Sequence, residues 1–279
     1  MSKKIIKYLS FFWLILLSQQ AQARDPISAA LQITPPYSVY LQDYASAVSE
    51  PMRVQVTLLD MQQPFYDVRL HLKIEGPGIT IETSQFYNPP PLTLEPGNRQ
   101  SFSGNQLYEL LMAENLDFKG LSRSEFDRSG GALPEGFYRF TITVRDYRRP
   151  DVVLSNPATA MVWLTLGDPP LLNQPHCGTE IKLNEGMQNL IFQWTPLNAG
   201  SPYALTTEYI FSLIEIRVPG FNPNDAINSL PPIYEITTNQ TSILYGPAEP
   251  PLIPGLDYVW RVQAVDMQGR DVFKNNGYS

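Results

Sequence analysis

The clearest pattern in the chain is an alternation of large apolar and polar side chains in its last third. Residues 188–196 form the first such segment, whose apolar positions are Leu190, Phe192 and Trp194. A second segment spans residues 257–266, with an apolar face made of Tyr258, Trp260, Val262 and Ala264. A period of two along the chain predicts two half-buried β-strands.

The two segments also carry a sequence motif. Phe-x-Trp-x-Pro at 192–196, followed by Tyr-x-Trp-Arg-Val-x-Ala at 258–264, resembles strands B and F of a fibronectin type III module. In that sandwich the two strands lie on opposite sheets, roughly 10 Å apart, and their aromatic faces pack together. We therefore predict a fibronectin type III-like β-sandwich over residues 168–279. We expect it to lack its last strand and to be the front end of a longer polypeptide.

Alternation also marks the first half of the chain. Strands are predicted at residues 31–35, 52–60, 66–75, 79–83, 137–146 and 158–166. Residues 105–112 have the only helical spacing that we find, and Ser103 or Asn105 is the predicted cap. Residues 117–131 are polar and rich in turn residues. Together these features predict an immunoglobulin-like β-sandwich with an irregular insertion over residues 24–167, and hence an all-β chain of tandem sandwiches.

Residues 1–23 have the pattern of a signal peptide. A basic start at Lys3, Lys4 and Lys7 precedes an apolar run over residues 8–17 and a small-residue site, Ala-Gln-Ala, at 21–23. The apolar run is too short to span a bilayer, and we predict no transmembrane span elsewhere. We expect export to the periplasm, the outer-membrane surface or the medium.

The composition of the chain limits its possible partners and favours one fold class. The net charge of -7 and the absence of clustered Lys and Arg argue against a nucleic-acid partner. The 26 prolines punctuate the strands, which favours an all-β fold. The single cysteine, Cys177, rules out an internal disulfide. We predict that Cys177 is a small buried apolar group, with pairing to another chain as the alternative.

A wider resemblance covers nearly all of the chain after residue 23. The matching segments are 66–70, 72–76, 133–138 (Leu-Pro-Glu-Gly-Phe-Tyr), 168–172, 192–196, 245–250, 269–271 and 273–278. They resemble the amino-terminal region of the large TANFOR-domain surface proteins of Bacteroidetes. The resemblance implies a long, exported protein built of repeated sandwich modules, and it brings no catalytic residues with it.

Residues suited to chemistry are few. His71 alternates with Arg69 and Lys73, which predicts a solvated imidazole, and His176 beside Cys177 lacks further zinc ligands. Carboxylates recur in pairs in the predicted loops, which favours solvated charges over a glycosidase pair. Calcium bound by Asp127 or Asp168 is a weaker alternative. We predict no catalytic residue, no cofactor and no metal ligand.

Aromatic side chains in proline-rich loops are the one candidate binding set. They are Tyr37, Tyr40, Tyr44, Phe86 and Tyr87. One interpretation is a platform that stacks on carbohydrate or binds protein, and the other is packing over the first sandwich. Trp194 and Trp260 are predicted to lie in the core.

Several functions fit these patterns. The first is a non-enzymatic modular protein of the cell envelope or surface, which acts as a scaffold for other envelope or outer-membrane proteins. The second is a carbohydrate-binding or adhesion module that uses the loop aromatics. The third is an accessory region of a larger secreted enzyme, and a donor-strand chaperone role is a further alternative.

Overall fold

The computed structural model describes residues 25–182 and 188–279, so the predicted signal peptide at residues 1–23 lies outside the described residues. In these described ranges, fifteen strands pair antiparallel in four sheets, which confirms the all-β sandwich fold predicted from the alternation. Within the described residues, no helix is long and apolar enough to cross a membrane.

The strands before residue 167 form two sheets. Their bounds are β1 Ile27–Ile33, β2 Met52–Leu58, β3 Tyr66–Gly76, β4 Ile79–Thr83, β5 Leu92–Leu94, β6 Arg99–Ser103, β7 Leu116–Lys119, β8 Gly136–Asp146 and β9 Ala158–Leu164. One sheet has the order β1-β2-β6, and the other has the order β7-β4-β3-β8-β9, with β5 also paired to β3. We call this part the first sandwich.

The long central pair of the first sandwich follows from its sequence pattern. Apolar residues at alternate positions of β3 and β8 are buried, and they are Val68, Leu70, Leu72, Ile74, Tyr138, Phe140, Ile142 and Val144. The register aligns Leu72 with Ile142, so the two apolar faces coincide. The opposite face of the same pair carries polar residues.

The strands after residue 170 form two further sheets, which we call the second sandwich. Their bounds are β10 Leu171–Gln174, β11 Leu190–Thr195, β12 Thr207–Ile216, β13 Tyr234–Thr238, β14 Ser242–Tyr245 and β15 Asp257–Asp266. The sheets have the orders β10-β11-β14 and β13-β12-β15. The division into two independent domains at residues 167–168 stays a prediction.

The predicted pairing of aromatic faces is confirmed. Phe192 on β11 and Trp260 on β15 belong to opposite sheets, and their ring centroids are 5.2 Å apart. Trp194 is 1% exposed and stacks against Phe211 of β12 at 6.4 Å. The aromatic cluster therefore fills the space between the two sheets of the second sandwich.

Within the described residues no seventh strand follows β15. A 3-10 helix at Lys274–Gly277 lies against β15 instead. After it, Tyr278 forms a bridge to Gln263, and the Ser279 N–H donates to the Val262 carbonyl at 3.0 Å. The end of the chain thus begins to pair with the edge of β15 over two residues.

Helices are more numerous than the spacing predicted. α1 at Asn105–Leu111 confirms the predicted helix, but its N-cap is Gly104 without a side-chain bond, so the predicted cap by Ser103 or Asn105 is wrong. α2 at Arg123–Arg128 and α3 at Pro223–Ser229 are not among the predicted helices. Each buries a single residue, Phe126 in α2 and Ala226 in α3, so neither shows the apolar spacing that predicts α1.

Candidate functional site: the joint between the two sandwiches

The two sandwiches meet at a joint where the segment at Gly167 pairs in parallel with the segment at Phe273. Gly167, after β9, donates its N–H to the Val272 carbonyl at 2.8 Å, and its own carbonyl accepts from Lys274 N–H at 2.9 Å. A Cβ on Gly167 would lie 3.0 Å from two ring carbons of Phe273. The connection is therefore hydrogen-bonded to the end of the second sandwich along its backbone.

Arg270 is the cation at the centre of this joint. Its Nε donates to Asp266 Oδ2 at 3.0 Å within the second sandwich, and its Nη1 donates to Asp43 Oδ2 of the first sandwich at 3.2 Å. The guanidinium carbon also lies 5.0 Å from the ring centroids of both Tyr40 and Tyr203. One planar cation thus bridges two carboxylates and contacts two aromatic rings, and each sandwich provides one carboxylate and one ring.

A second bridge consists of hydroxyl groups. Ser38 Oγ donates to Asp43 Oδ2 at 2.5 Å, and the Tyr203 hydroxyl donates to Ser38 Oγ at 2.7 Å. The same Tyr203 oxygen accepts from the Val39 N–H at 3.1 Å. Since Tyr203 is 2% exposed and Ser38 is 4% exposed, these bonds lie in the interior, where an unpaired group would be costly.

Local structure positions each of these groups. Asp43 lies on a 3-10 helix at Leu41–Ala45, whose start is fixed by the Leu41 N–H bond to the Gly131 carbonyl. Asp266 ends β15, and its side chain is fully buried and accepts from Thr206 Oγ1. Burial is the main cause that raises the pKa of the Tyr203 phenol, so its hydroxyl stays protonated and keeps its donor role at neutral pH.

We expect Tyr203→Phe to weaken this joint without changing its shape. The substitution removes one hydroxyl and leaves the Val39 N–H and Ser38 Oγ without their bonds to it, which should lower the free energy of unfolding by about 1–3 kcal/mol. Urea denaturation measures the change. The exposed Tyr108→Phe is the control, for which we expect a change within about 0.5 kcal/mol. Equal values for both variants would show that the hydroxyl bonds contribute nothing.

The structure separates the five aromatic residues that the sequence grouped. Tyr44 is 1% exposed and packs on Phe140, and Tyr40 is 6% exposed and faces Tyr203 at the joint. For these two the platform interpretation is wrong, because the 3-10 helix turns both rings inward. Tyr37 and Tyr87 are partly buried, and Phe86 alone is largely exposed, at 83%. Binding by Tyr37, Phe86 and Tyr87 stays a prediction.

Two other sequence predictions need correction. Cys177 is exposed, not buried, because it lies in a turn after β10 and not at the entry of a strand. The interpretation of His71 as fully solvated also needs correction, because the side chain is half-buried. The outer face of β3 and β8 is partly covered there, and burial, followed by the charge of Arg145, lowers the pKa of His71 to about 4.

Groups that could hold a metal are not found among the described residues. Asp127 forms an ion pair with Arg123 on α2 at 3.0 Å, and Asp168 pairs with Lys274 at 3.0 Å. Both carboxylates that were considered for calcium therefore neutralise a cation. The Lys274 pair lies at the joint and adds an exposed contact between its two segments.

Sequence reasoning missed Arg270 as a functional residue. It was noted only as part of the segment 269–271 in the family resemblance. Its partner Asp43 is 227 residues away, and neither residue stands in a pattern that predicts a contact. The available signal was Asp266 and Arg270 at a spacing of four after a strand, which is compatible with an ion pair across a turn.

The comparisons with known proteins give limited guidance. No protein-family model matches this chain, and no curated protein matches it. Among solved structures, a chain from a "Cytokine receptor complex - Crystal form 2" is 12% identical, covers 89% of this chain and 94% of its own, and superposes with a TM-score of 0.23. A TM-score this low carries no argument, so the fold assignment depends on the sheet topology, and the TANFOR resemblance stays a prediction.

Proposed function

We propose that the protein is a non-enzymatic, exported module of the cell envelope, which acts as a rigid spacer and scaffold for other envelope proteins. The observation that carries the proposal is the joint, where Arg270 bridges Asp43 and Asp266 and where Tyr203 binds Ser38. A spacer that presents two surfaces at a set angle needs a connection with specific bonds on both sides, since relative motion is otherwise the default for two domains of one chain. The predicted signal peptide supports the location.

Affinity capture tests this proposal with matched proteins. Residues 24–279 and the variant Arg270→Ala are immobilised separately, and the proteins that each retains from envelope extracts are identified by mass spectrometry. We expect the first to retain a reproducible set and the variant to lose those that contact both sandwiches. Hydrolysis of glycoside or peptide substrates by the purified protein would contradict the non-enzymatic role.

An adhesion module that binds glycans is a second candidate, and one surface feature favours it. Phe137 and Trp163 face each other across β8 and β9 with ring centroids 6.2 Å apart, and they are 50% and 60% exposed. The two rings are tilted by 55° to each other, and each exposed ring face is an apolar surface on which a sugar ring can stack. Retention on a glycan array that is lost in Trp163→Ala, but kept in Phe86→Ala, would favour this second function.

A further inference from the structure

On the outer face of the β3–β8 pair, two arginines and a histidine lie close together and form no ion pair with any carboxylate that the structure describes. Arg69 stands directly opposite Arg145, and His71 stands opposite Thr143, in the antiparallel register. Like charges at opposed positions destabilise a sheet. We call Arg69, His71, Thr143 and Arg145 the cationic cluster.

Burial increases the cost of this arrangement. Arg69 is 7% exposed, and its Nη2 donates to the Tyr87 carbonyl. Among the described residues, neither Arg69 nor Arg145 forms an ion pair with a carboxylate. Arg145 Nη1 donates to the Pro150 carbonyl at 3.2 Å, and Asp151 attracts its charge from beyond ion-pair distance. Glu82 is the carboxylate nearest to His71 on the neighbouring strand, but Lys119 already binds it at 2.7 Å. A buried guanidinium without a counter-ion is strongly unfavourable, so a compensating anion is expected.

The cationic cluster also contains buried polar atoms that lack a hydrogen-bond partner among the described residues. Within residues 25–182 and 188–279, four buried side-chain atoms lack a hydrogen-bond partner, and two of them are Thr143 Oγ1 and Arg145 Nε. These two residues stand on the same face of β8, two positions apart, inside the cationic cluster. Buried polar atoms are nearly always paired, so two orphans side by side indicate a missing partner.

We propose that the cationic cluster binds a phosphate or sulfate group. The two guanidinium groups can each donate a pair of parallel bonds to such an oxyanion, and Thr143 and a protonated His71 can donate further bonds. The cluster reaches solvent, since His71 and Arg145 are only partly buried and the nearby Lys73 side chain is 40% exposed. Lys73 itself is paired with Glu75 at 2.7 Å, so its charge is already compensated.

His71 provides the readout for this site. Its pKa is lowered by burial and by Arg145, Arg69 and Lys73, and it is raised by Glu82. An oxyanion in the cluster stabilises the imidazolium, so binding should raise the pKa of His71 by about one unit or more. The only other histidine of the chain, His176, is exposed and serves as an internal control.

The experiment is an NMR titration of both imidazoles over pH 3–8, with residues 24–279 in sodium phosphate, sodium sulfate, sodium acetate or sodium chloride of equal ionic strength. We expect phosphate and sulfate to raise the pKa of His71 relative to chloride, with the exposed His176 as the control for non-specific effects of the salts. The shift should disappear in Arg145→Gln and persist in Arg139→Gln, which lies on the same strand and face but pairs with Glu75.

Three outcomes would overturn the proposal. The first is a pKa of His71 that is the same in phosphate, sulfate and chloride. The second is a rise of this pKa in acetate alone. The third is a rise in phosphate or sulfate that persists in Arg145→Gln. Thermal unfolding of both variants without added anion confirms that they are folded. If Arg145→Gln does not fold, Arg69→Lys takes its place, since it keeps the charge but removes the planar fork, and the shift should then fall by at least half.

Discussion

Replacing Arg270 by alanine is expected to lower the free energy of unfolding by about 3 kcal/mol and to release the two sandwiches from their single orientation. The reason is that Asp266, whose side chain is fully buried, loses its cation, while Asp43 loses its partner across the joint. This expected loss lies at the lower end of the range for breaking a buried ion pair, because the Arg270 side chain is itself 23% exposed. Urea denaturation gives the energy, and small-angle X-ray scattering gives the change in shape.

Two further variants separate charge from geometry in this result. Arg270→Lys keeps the charge but lacks the planar fork that bonds both carboxylates and lies over Tyr40 and Tyr203, so we expect it to recover less than half of the lost stability. Arg53→Ala is the matched control, since Arg53 pairs with Glu50 on the surface, and it should cost less than about 1 kcal/mol. A small effect of Arg270→Ala, similar to that of Arg53→Ala, would mean that the joint does not depend on this cation.

The largest loss of stability is expected from Trp194→Ala, at about 3–5 kcal/mol. Trp194 is 1% exposed and contacts Tyr209 and Phe211 at centroid distances of 5.6 and 6.4 Å, so its removal leaves a cavity between the sheets of the second sandwich. Denaturant unfolding, followed by the fluorescence of the remaining tryptophans, measures the change.

The sequence offers two controls for this substitution. Trp194→Phe keeps an aromatic ring and removes the Nε1 donor, which is buried and lacks a partner in the described part of the chain, so it should cost less than half as much. Trp163→Ala removes the same side chain from the exposed face of β9 and should change stability by less than about 0.5 kcal/mol. A similar loss for Trp194→Ala and Trp163→Ala would contradict the core position of Trp194.

Alternation predicted six of the nine strands of the first sandwich, since burial on one face of a sheet imposes a period of two on the sequence, but it missed the short strands β5, β6 and β7. β3 and β8 show this most clearly, because eleven residues in each provide many repeats of the pattern. The short helices are marked in the sequence only by their cap residues, which are a weaker signal than a repeated pattern. α2 begins at Ser122, which forms a capping box with Glu125, and this Ser-x-x-Glu spacing was visible in the sequence. α3 likewise begins with Asn222 followed by Pro223, a common helix start.

The joint could not be predicted in the same way. Its bonds connect Ser38 with Tyr203 and Asp43 with Arg270, and such contacts between distant residues have no period along the chain. Tyr40 and Tyr44 show the same limit, since their side chains face inward only because a 3-10 helix lies between the strands. The polar face of β3 also misled the interpretation of His71, because alternation predicts which residues face the core but not what covers the other face.

The central claim is that the two sandwiches keep one relative orientation. Spin labels on cysteines introduced by Thr159→Cys in β9 and Thr237→Cys in β13, both exposed strand positions, with Cys177→Ser, allow the distance between them to be measured by double electron–electron resonance. We predict one narrow distance distribution, which broadens when Arg270→Ala is added. A broad distribution in the protein with Arg270 intact would contradict the account.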